Sequence, residues 1–366
     1  MEKILKSYIS SQKQPYITFK EYMDLALYHP EFGYYNSNQE KIGRHGDFYT
    51  SSNLSDVFGR ALGRWFIHLF ATCDIPRHII ELGAGTGRIA HAVLAYIQEQ
   101  DEELFNQLQY TVIESSPFHG HKQKSLLENY ENVYFIKDLE SIGELRGIIF
   151  SNELFDAFPV HVIERKEGIT YEVMVTADLH EQLIPLQNAE IEAYLEVLSL
   201  DLVEGQRIEI PLSMVQYYRT LCTKITKGIL VTIDYGYTNE EWKEDIHRRG
   251  SLRGYYQHSM YDNVLQKAGE MDLTAHIHWD ALRVNGKEQE LHSLSFQRQN
   301  EFLLSCGILE ELSNTSNPNP FSTEHKRNRA IRTLIEPGQI SSHFQVLIQS
   351  KNIEIKNNNL FPTTII

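Results

Sequence analysis

Between Gly147 and Val160 the chain reads GIIFSNELFDAFPV: an apolar run closes on Asn152 and Glu153, and Asp156 follows among aromatic residues. An amide and two carboxylates at such a point suit the gripping of a cation. A carboxylate pair can hold a guanidinium through parallel hydrogen bonds and orient it, and a carboxylate can manage the proton that a nucleophile carries. The plainer alternative is structural: Ser151, Asn152 or Asp156 can cap a following helix, with Pro159 closing the turn.

A second group stands upstream. Glu81-Leu82-Gly83-Ala84-Gly85-Thr86-Gly87 follows the apolar His78-Ile79-Ile80 and precedes a helical pattern. In open α/β sheets the first strand-to-helix turn lies where ligands bind, and glycines let the backbone approach them. A dinucleotide fingerprint has its third glycine at the sixth position, where this chain has Arg88. The spacing here is GxGxG with an acidic lead, as in the E/DxGxGxG motif of class I S-adenosylmethionine methyltransferases. That cofactor carries a sulfonium and an ammonium and no pyrophosphate, so nearby carboxylates attract it where they would repel NAD. Glu114, closing QYTVIE, is placed to accept both ribose hydroxyls of an adenosine, a feature shared with NAD enzymes. Asp138, after NVYFIK, follows the third strand, where such methyltransferases often place a carboxylate or its neighbouring backbone against the adenine amino group. Helix capping is the alternative for each of these carboxylates.

The elements that must position these groups follow from the hydrophobic pattern. Thr18-Phe19-Lys20-Glu21 has the capping-box form before EYMDLALY. Leu54, Val57, Phe58, Ala61, Leu62, Trp65, Phe66 and Leu69 recur at helical spacing. From His78 onward, short apolar runs alternate with helical stretches: HIIEL, QYTVIE, NVYFI, GIIFS, GILVTIDYG (followed by DNVLQKAG, expected as a helix) and HFQVLIQS. Strand alternating with helix predicts an α/β fold with a mostly parallel sheet covered on both faces. The alternation breaks between Val160 and Lys227, where VHVIERKEGITYEVMVT predicts a hairpin turning at Lys166-Glu167-Gly168. The expected organisation is an N-terminal helical and lid segment (1–75), a core (76–160 and 227–366) and an inserted α+β region (161–226) beside the sheet that can bind substrate.

Composition narrows the function classes. A chain of 366 residues with 42% hydrophobic content can bury a sizeable core. A formal net charge of −15 disfavours a nucleic-acid backbone and suits a basic substrate. No apolar run is long enough to span a membrane, and MEKILKSYISSQKQ lacks a signal-peptide pattern, so a cytoplasmic location without membrane insertion is expected. Cys73, Cys222 and Cys306 lack the CxxC pairing of a thiolate metal site. His276 and His278 alternate as on one strand face, but no third ligand is spaced to join them, and no metal is expected. Arg253, His258, Tyr34, Tyr35, Phe48 and Tyr49 are candidates for an acceptor pocket. Asp234-Tyr235-Gly236 either faces the crevice at the end of the fifth strand or starts the next helix.

EYMDLALYHPEFGYY, KIGRHGDFYTSS, ELGAGTGR, IESSP, SNELFDAFPVHVIE, IDYG, SLRGYYQH and EMDLTAHIHW occur in this order, and together they resemble the MidA-like family of S-adenosylmethionine-dependent methyltransferases. That family includes the mitochondrial arginine methyltransferase that serves as a complex I assembly factor. The resemblance runs from about Tyr22 to the C-terminus. It implies a class I, Rossmann-like methyltransferase sheet, S-adenosylmethionine as donor with S-adenosylhomocysteine as product, and for some members a protein arginine as acceptor. By position, Glu81, Gly83, Ala84, Gly85 and Gly87 would line the methionine part of the cofactor, Glu114 the ribose, and Asn152, Glu153 and Asp156 the reaction centre. Gly46, Asp47, Phe48, Tyr49, Thr50 and Ser51 would fold over the cofactor as a lid. The chain departs from the commoner G-P-G-R-G form at Ala84 and Thr86. The expected function is protein arginine N-methylation, with a protein partner as substrate and the oligomeric state left open, a homodimer included. A cofactor-binding assembly factor with little catalysis and an NAD-dependent oxidoreductase are the alternatives, the latter disfavoured by the glycine spacing.

Overall fold

The computed structural model of the protein describes residues 1–36, 54, 56–313, 318–338, 341, 343–355 and 359–362. Contacts divide the chain into two units. The sheet unit comprises Tyr49–Leu154, Leu221–Asp234 and Gly286–Ile366; the lobe comprises Met1–Phe48, Phe155–Thr220 and Tyr235–Asn285.

The sheet unit is built from α1 (Asp56–Thr72), β1 (His78–Leu82), α2 (Arg88–Gln100), β2 (Gln109–Ile113), α3 (Pro117–Leu127), β3 (Val133–Ile136), β4 (Leu145–Asn152), β5 (Ile225–Tyr237, whose last three residues belong to the lobe), β6 (His292–Arg298) and β7 (Phe344–Lys351). The strands lie in the order β3-β2-β1-β4-β5-β7-β6. Strands β3 to β5 along this order are mutually parallel, and β6 runs antiparallel to β7. The fold is α/β with the central sheet flanked by helices, as the alternation predicts. Strand order reverses at β1, which has β2 on one side and β4 on the other, so the turn after β1 and the end of β4 share one edge of the sheet.

The predicted stripe of α1 is buried: Val57, Phe58, Ala61, Leu62, Trp65, Phe66 and Leu69 all face the core, and the Phe66 ring lies 5.5 Å from that of Phe150 on β4. On its other side α1 meets α2 at close range, because a Cβ at Gly59 would stand 2.5 Å from the Ala92 Cβ.

The lobe carries an antiparallel sheet in the order Tyr16–Thr18, Ile169–Thr176, His161–Lys166, Arg207–Ile210, with Glu181–Pro185 also paired to Ile169–Thr176. The hairpin turns where the sequence predicts, with Glu167 and Gly168 both at positive φ. Helices Glu2–Ser11 and Phe19–Tyr28 bury Leu5, Ile9, Phe19, Tyr22, Met23 and Leu27 in the lobe's core, and the capping box of Thr18 and Glu21 is formed. A second sheet joins Ser259–Tyr261, Arg253–Tyr256 and Asp272–Thr274.

The unit boundaries fall elsewhere than the expected segments. Residues 1–36 pack with the inserted region, through the pairing of Tyr16–Thr18 with Met174–Thr176, whereas α1 packs on the sheet unit. The expected helix over DNVLQKAG is a run of turns, because Lys267 at φ 51° and Gly269 at φ 80° cannot continue a right-handed helix. Asp234 starts no helix: it is fully buried in β5, and Thr238 caps the next helix through a capping box with Glu241.

Candidate active site

The turn after β1 is held by its own backbone and by side chains from neighbouring elements. Gly83, Gly85 and Gly87 take φ values of 66°, 52° and 80°, the left-handed region open to glycine at least strain. A Cβ at Gly83 would meet the Leu154 side chain at 2.8 Å, and one at Gly87 would meet Gln123 at 3.1 Å; a Cβ at Gly85 would meet nothing within 4 Å among the described residues. Among the described residues the middle glycine therefore presents backbone with no side chain over it, a cradle that a side chain of its own would fill.

Glu114 follows β2 and turns back toward this cradle. Its carboxylate accepts the Gly85 N–H at 3.0 Å and the Ser116 N–H at 2.8 Å, with His119 Nδ1 at 3.8 Å. Burial pushes its carboxyl above the usual range, against the lowering effect of these backbone donors. Each carboxylate oxygen keeps a lone pair for a further donor such as a ribose hydroxyl.

Glu81 lies deeper than the sequence implies. Its side chain is inside the sheet at 2% exposure, the Tyr110 hydroxyl donates to it at 2.7 Å, and burial pushes its carboxyl up to about 8. At neutral pH Glu81 is largely protonated, so it supports the turn from below as a neutral acid. Asp138 is half-exposed and accepts the Ser141 N–H at 2.9 Å and the Ser141 hydroxyl, as a turn cap does.

At the end of β4, Asn152 pairs in register with Ile233 of β5, and the chain then turns sharply. Glu153 takes φ 52°, an uncommon conformation for a residue with a long side chain, while its N–H donates to Ile233 O at 3.0 Å. The Asn152 amide donates to the Glu153 carboxylate at 3.1 Å. Asn152 Oδ1 is a buried acceptor without a partner among the described residues. The left-handed turn re-aims Glu153 just where the strand ends.

Asp156 belongs to the lobe, three residues on in sequence. It is 4% exposed in the one-turn helix Phe155–Ala157, its carbonyl accepts the Ala275 N–H at 2.9 Å, and Tyr28 donates to the next carbonyl, Ala157 O, at 2.8 Å. In the same lobe Tyr35 stacks on Tyr28 and donates to Asp272 at 2.7 Å, and Tyr255 sits opposite Asp272 across two paired strands. Burial foremost, then the fields of Asp272 and Asp156, push the Tyr35 hydroxyl well up. A tyrosine-lined carboxylate group of this kind suits a flat cation.

The other sequence candidates have structural places. His278 is fully buried with Nδ1 2.7 Å from the Tyr194 hydroxyl, and burial lowers it to about 3; His276 stacks on Tyr235. Among the described residues no three His, Cys, Asp or Glu side chains gather as a metal site. Gln257 and His258, at φ 48° and 62°, form a hairpin turn, and Arg253 pairs with Asp262 at 3.2 Å. Gly46, Asp47, Phe48, Tyr49, Thr50 and Ser51 lie outside the described residues. Gln123, His119 and Tyr110 carried no signal, since nothing in PFHGHKQKS or QYTVIE separates a buried polar contact from a solvated face. Asp272 lay inside the DLTAH run that contributes to the family resemblance.

The donor set of the sheet unit, a glycine turn with nothing within 4 Å of a Gly85 Cβ among the described residues, Glu114 hydrogen-bonded to it and Asn152 and Glu153 at the end of the neighbouring strand, fits an adenosine-bearing cation. Comparisons with known proteins agree with that chemistry. The chain is 26% identical over 359 residues to the zebrafish (Danio rerio) protein named "Protein arginine methyltransferase NDUFAF7, mitochondrial", covering 90% of this chain and 82% of that one. It is 27% identical over 324 residues to the Mus musculus protein of the same name, covering 80% and 71%. A crystal structure of a Burkholderia thailandensis protein bound to S-adenosyl-homocysteine superposes with a TM-score of 0.87 at 26% identity, covering 98% of this chain and 93% of that one. Residues 61–297 match the sequence profile of a family described as "Putative S-adenosyl-L-methionine-dependent methyltransferase". The chain belongs to that family of S-adenosylmethionine-dependent methyltransferases.

Proposed function

We propose that the acceptor of methyl transfer is an arginine side chain of a protein, and that Glu153 receives it. The observation that carries this reading is the left-handed turn at Glu153, which holds a carboxylate at the end of β4, braced by the Asn152 amide at 3.1 Å. A backbone conformation costing of order 1 kcal/mol, kept at the mouth of a ligand turn, is what a positioned functional group requires. The names of the relatives and the tyrosine and carboxylate group of the lobe support the same acceptor class.

S-adenosylmethionine, when bound, supplies an electrophilic methyl group on a sulfonium. The Gly85 backbone and the Glu114 carboxylate would hold it, Glu114 at the ribose hydroxyls. Glu153 would grip the guanidinium, orient one of its nitrogens and take the proton that the nitrogen sheds on methylation, as the donor leaves as S-adenosylhomocysteine. Asn152 keeps the Glu153 carboxylate from rotating away.

Transfer of a radiolabelled methyl group from S-adenosylmethionine to proteins of the parent cell, followed by acid hydrolysis, tests the reading. Label should appear in methylarginine, and Glu153→Gln should abolish it while S-adenosylhomocysteine still binds. Label in another amino acid, or equal labelling by both proteins, defeats the assignment.

A further inference from the structure

The two peptide planes flanking Gly85 are held by different means. The Ala84–Gly85 plane is fixed twice, by Gly85 N–H to Glu114 at 3.0 Å and by Gly87 N–H to Ala84 O at 2.9 Å. On the Gly85–Thr86 plane, the Gly85 carbonyl accepts Gln123 Nε2 at 2.7 Å. Glycine tolerates both signs of φ, so such a plane can flip at little local cost unless something outside the turn holds it. Gln123 comes from α3, a different element. It is 1% exposed, on a buried face that it shares with His119 and Leu127. Burying an amide is unfavourable without partners, and the Gly85 carbonyl is the partner that this burial secures. Its Cγ also stands 3.1 Å from where a Cβ on Gly87 would lie, so the side chain packs over the last glycine while hydrogen-bonding the middle one.

We infer that Gln123 is a positioning residue for the cofactor, holding the Gly85–Thr86 peptide in the orientation that the bound methyl donor meets. The inference rests on the cofactor reading of this turn. It makes α3 and the glycine turn one preorganised body, with Glu114 and Gln123 gripping opposite peptides of the same glycine. The mechanism described above does not use Gln123, and it touches no reacting atom.

The test is calorimetric titration of S-adenosylhomocysteine into the full chain and into Gln123→Met and Gln123→Glu, with thermal melting of each and amide exchange at Gly85–Gly87 without ligand. Methionine keeps the length and removes the donor; glutamate keeps the shape and turns an acceptor toward the carbonyl. Binding should weaken roughly tenfold for Gln123→Met and further for Gln123→Glu, the loss expected for one buried hydrogen bond and for its reversal. Exchange at the turn should quicken in both, and the donor KM should rise in the same ratio while the acceptor KM stays put. A role in filling space alone predicts the opposite ranking, with the isosteric glutamate nearest to wild type. Binding by both variants within about twofold of wild type overturns the inference. Failure of the wild type itself to bind S-adenosylhomocysteine removes the cofactor reading and this inference with it.

Discussion

The Gly85 N–H donates to the Glu114 carboxylate at 3.0 Å, so the acid that closes β2 also fixes the backbone of the turn that closes β1. One side chain therefore shapes the cradle and offers itself to the ribose. Glu114→Ala should weaken S-adenosylhomocysteine binding by about 2 to 3 kcal/mol, more than a single exposed contact would, because the turn loosens as the ligand's partner is lost. Calorimetry that finds the variant within a factor of three of wild type would remove Glu114 from the site.

Glu153→Gly should separate stability from function. Glycine adopts the φ of 52° at less cost than glutamate, a relief of roughly 1 kcal/mol set against its larger loss of chain entropy on folding. The melting temperature should hold or rise while methyl transfer is lost. A large fall in melting temperature would mean that Glu153 is held chiefly for the fold.

Glu81 makes stability depend on pH. Its folded-state value of about 8 lies above the usual 4.5, so the contribution from its neutral form is complete below 4.5 and is lost as pH rises through about 8. Glu81→Gln keeps a neutral partner for Tyr110. Its melting temperature should fall less than that of wild type as pH is raised from 6 to 9, a difference that parallel melting curves would contradict.

Two glycine-to-alanine changes should act with opposite sign. At Gly59 the new methyl would stand 2.5 Å from Ala92 Cβ, and forcing α1 from α2 should destabilise by roughly 1 to 3 kcal/mol. At Gly120, inside α3, a Cβ would meet nothing within 4 Å among the described residues, and alanine should stabilise by up to about 1 kcal/mol through helix propensity. Chemical denaturation of both variants reads the two signs directly.

In the lobe, Tyr35→Phe removes the hydroxyl that donates to Asp272 at 2.7 Å. A loss of about 1 kcal/mol in stability is expected from one buried hydrogen bond. If the group recognises a basic acceptor, the acceptor KM should rise while S-adenosylhomocysteine binding is kept. Weakened cofactor binding with an unchanged acceptor KM would be evidence against that role.

Much of this was legible in the residue order, because local rules act locally. Alternating apolar runs specified the strands of the sheet, Thr18 and Glu21 specified a helix start, and GxGxG behind an acidic residue specified a ligand turn with its charge preference written into Glu114 and Glu153. Polar strand β6, with its HSLSFQR sequence, escaped the pattern, and so did the turns of DNVLQKAG, whose composition is helical while Lys267 and Gly269 are left-handed. Neither miss reflects a weak rule; each shows pairing and tertiary packing overriding a local preference.

Burial and cross-element hydrogen bonding were beyond the reach of the residue order. Glu81 and Glu114 are both acids beside a strand end, yet one is a neutral support under the sheet and the other a partly buried acceptor at its edge, because β1 places the first side chain toward Tyr110 while Glu114 turns back to Gly85. Gln123 sits in a run of lysine and glutamine that reads as a solvated face, and only the docking of α3 against the turn brings its amide to the Gly85 carbonyl. Residue types and spacing determined the class of ligand and the presence of a sheet with a binding turn. Which carboxylate lies under the sheet, and which side chain holds the turn in shape, depends on desolvation and on contacts between residues far apart in sequence, and these exist only once the chain has folded.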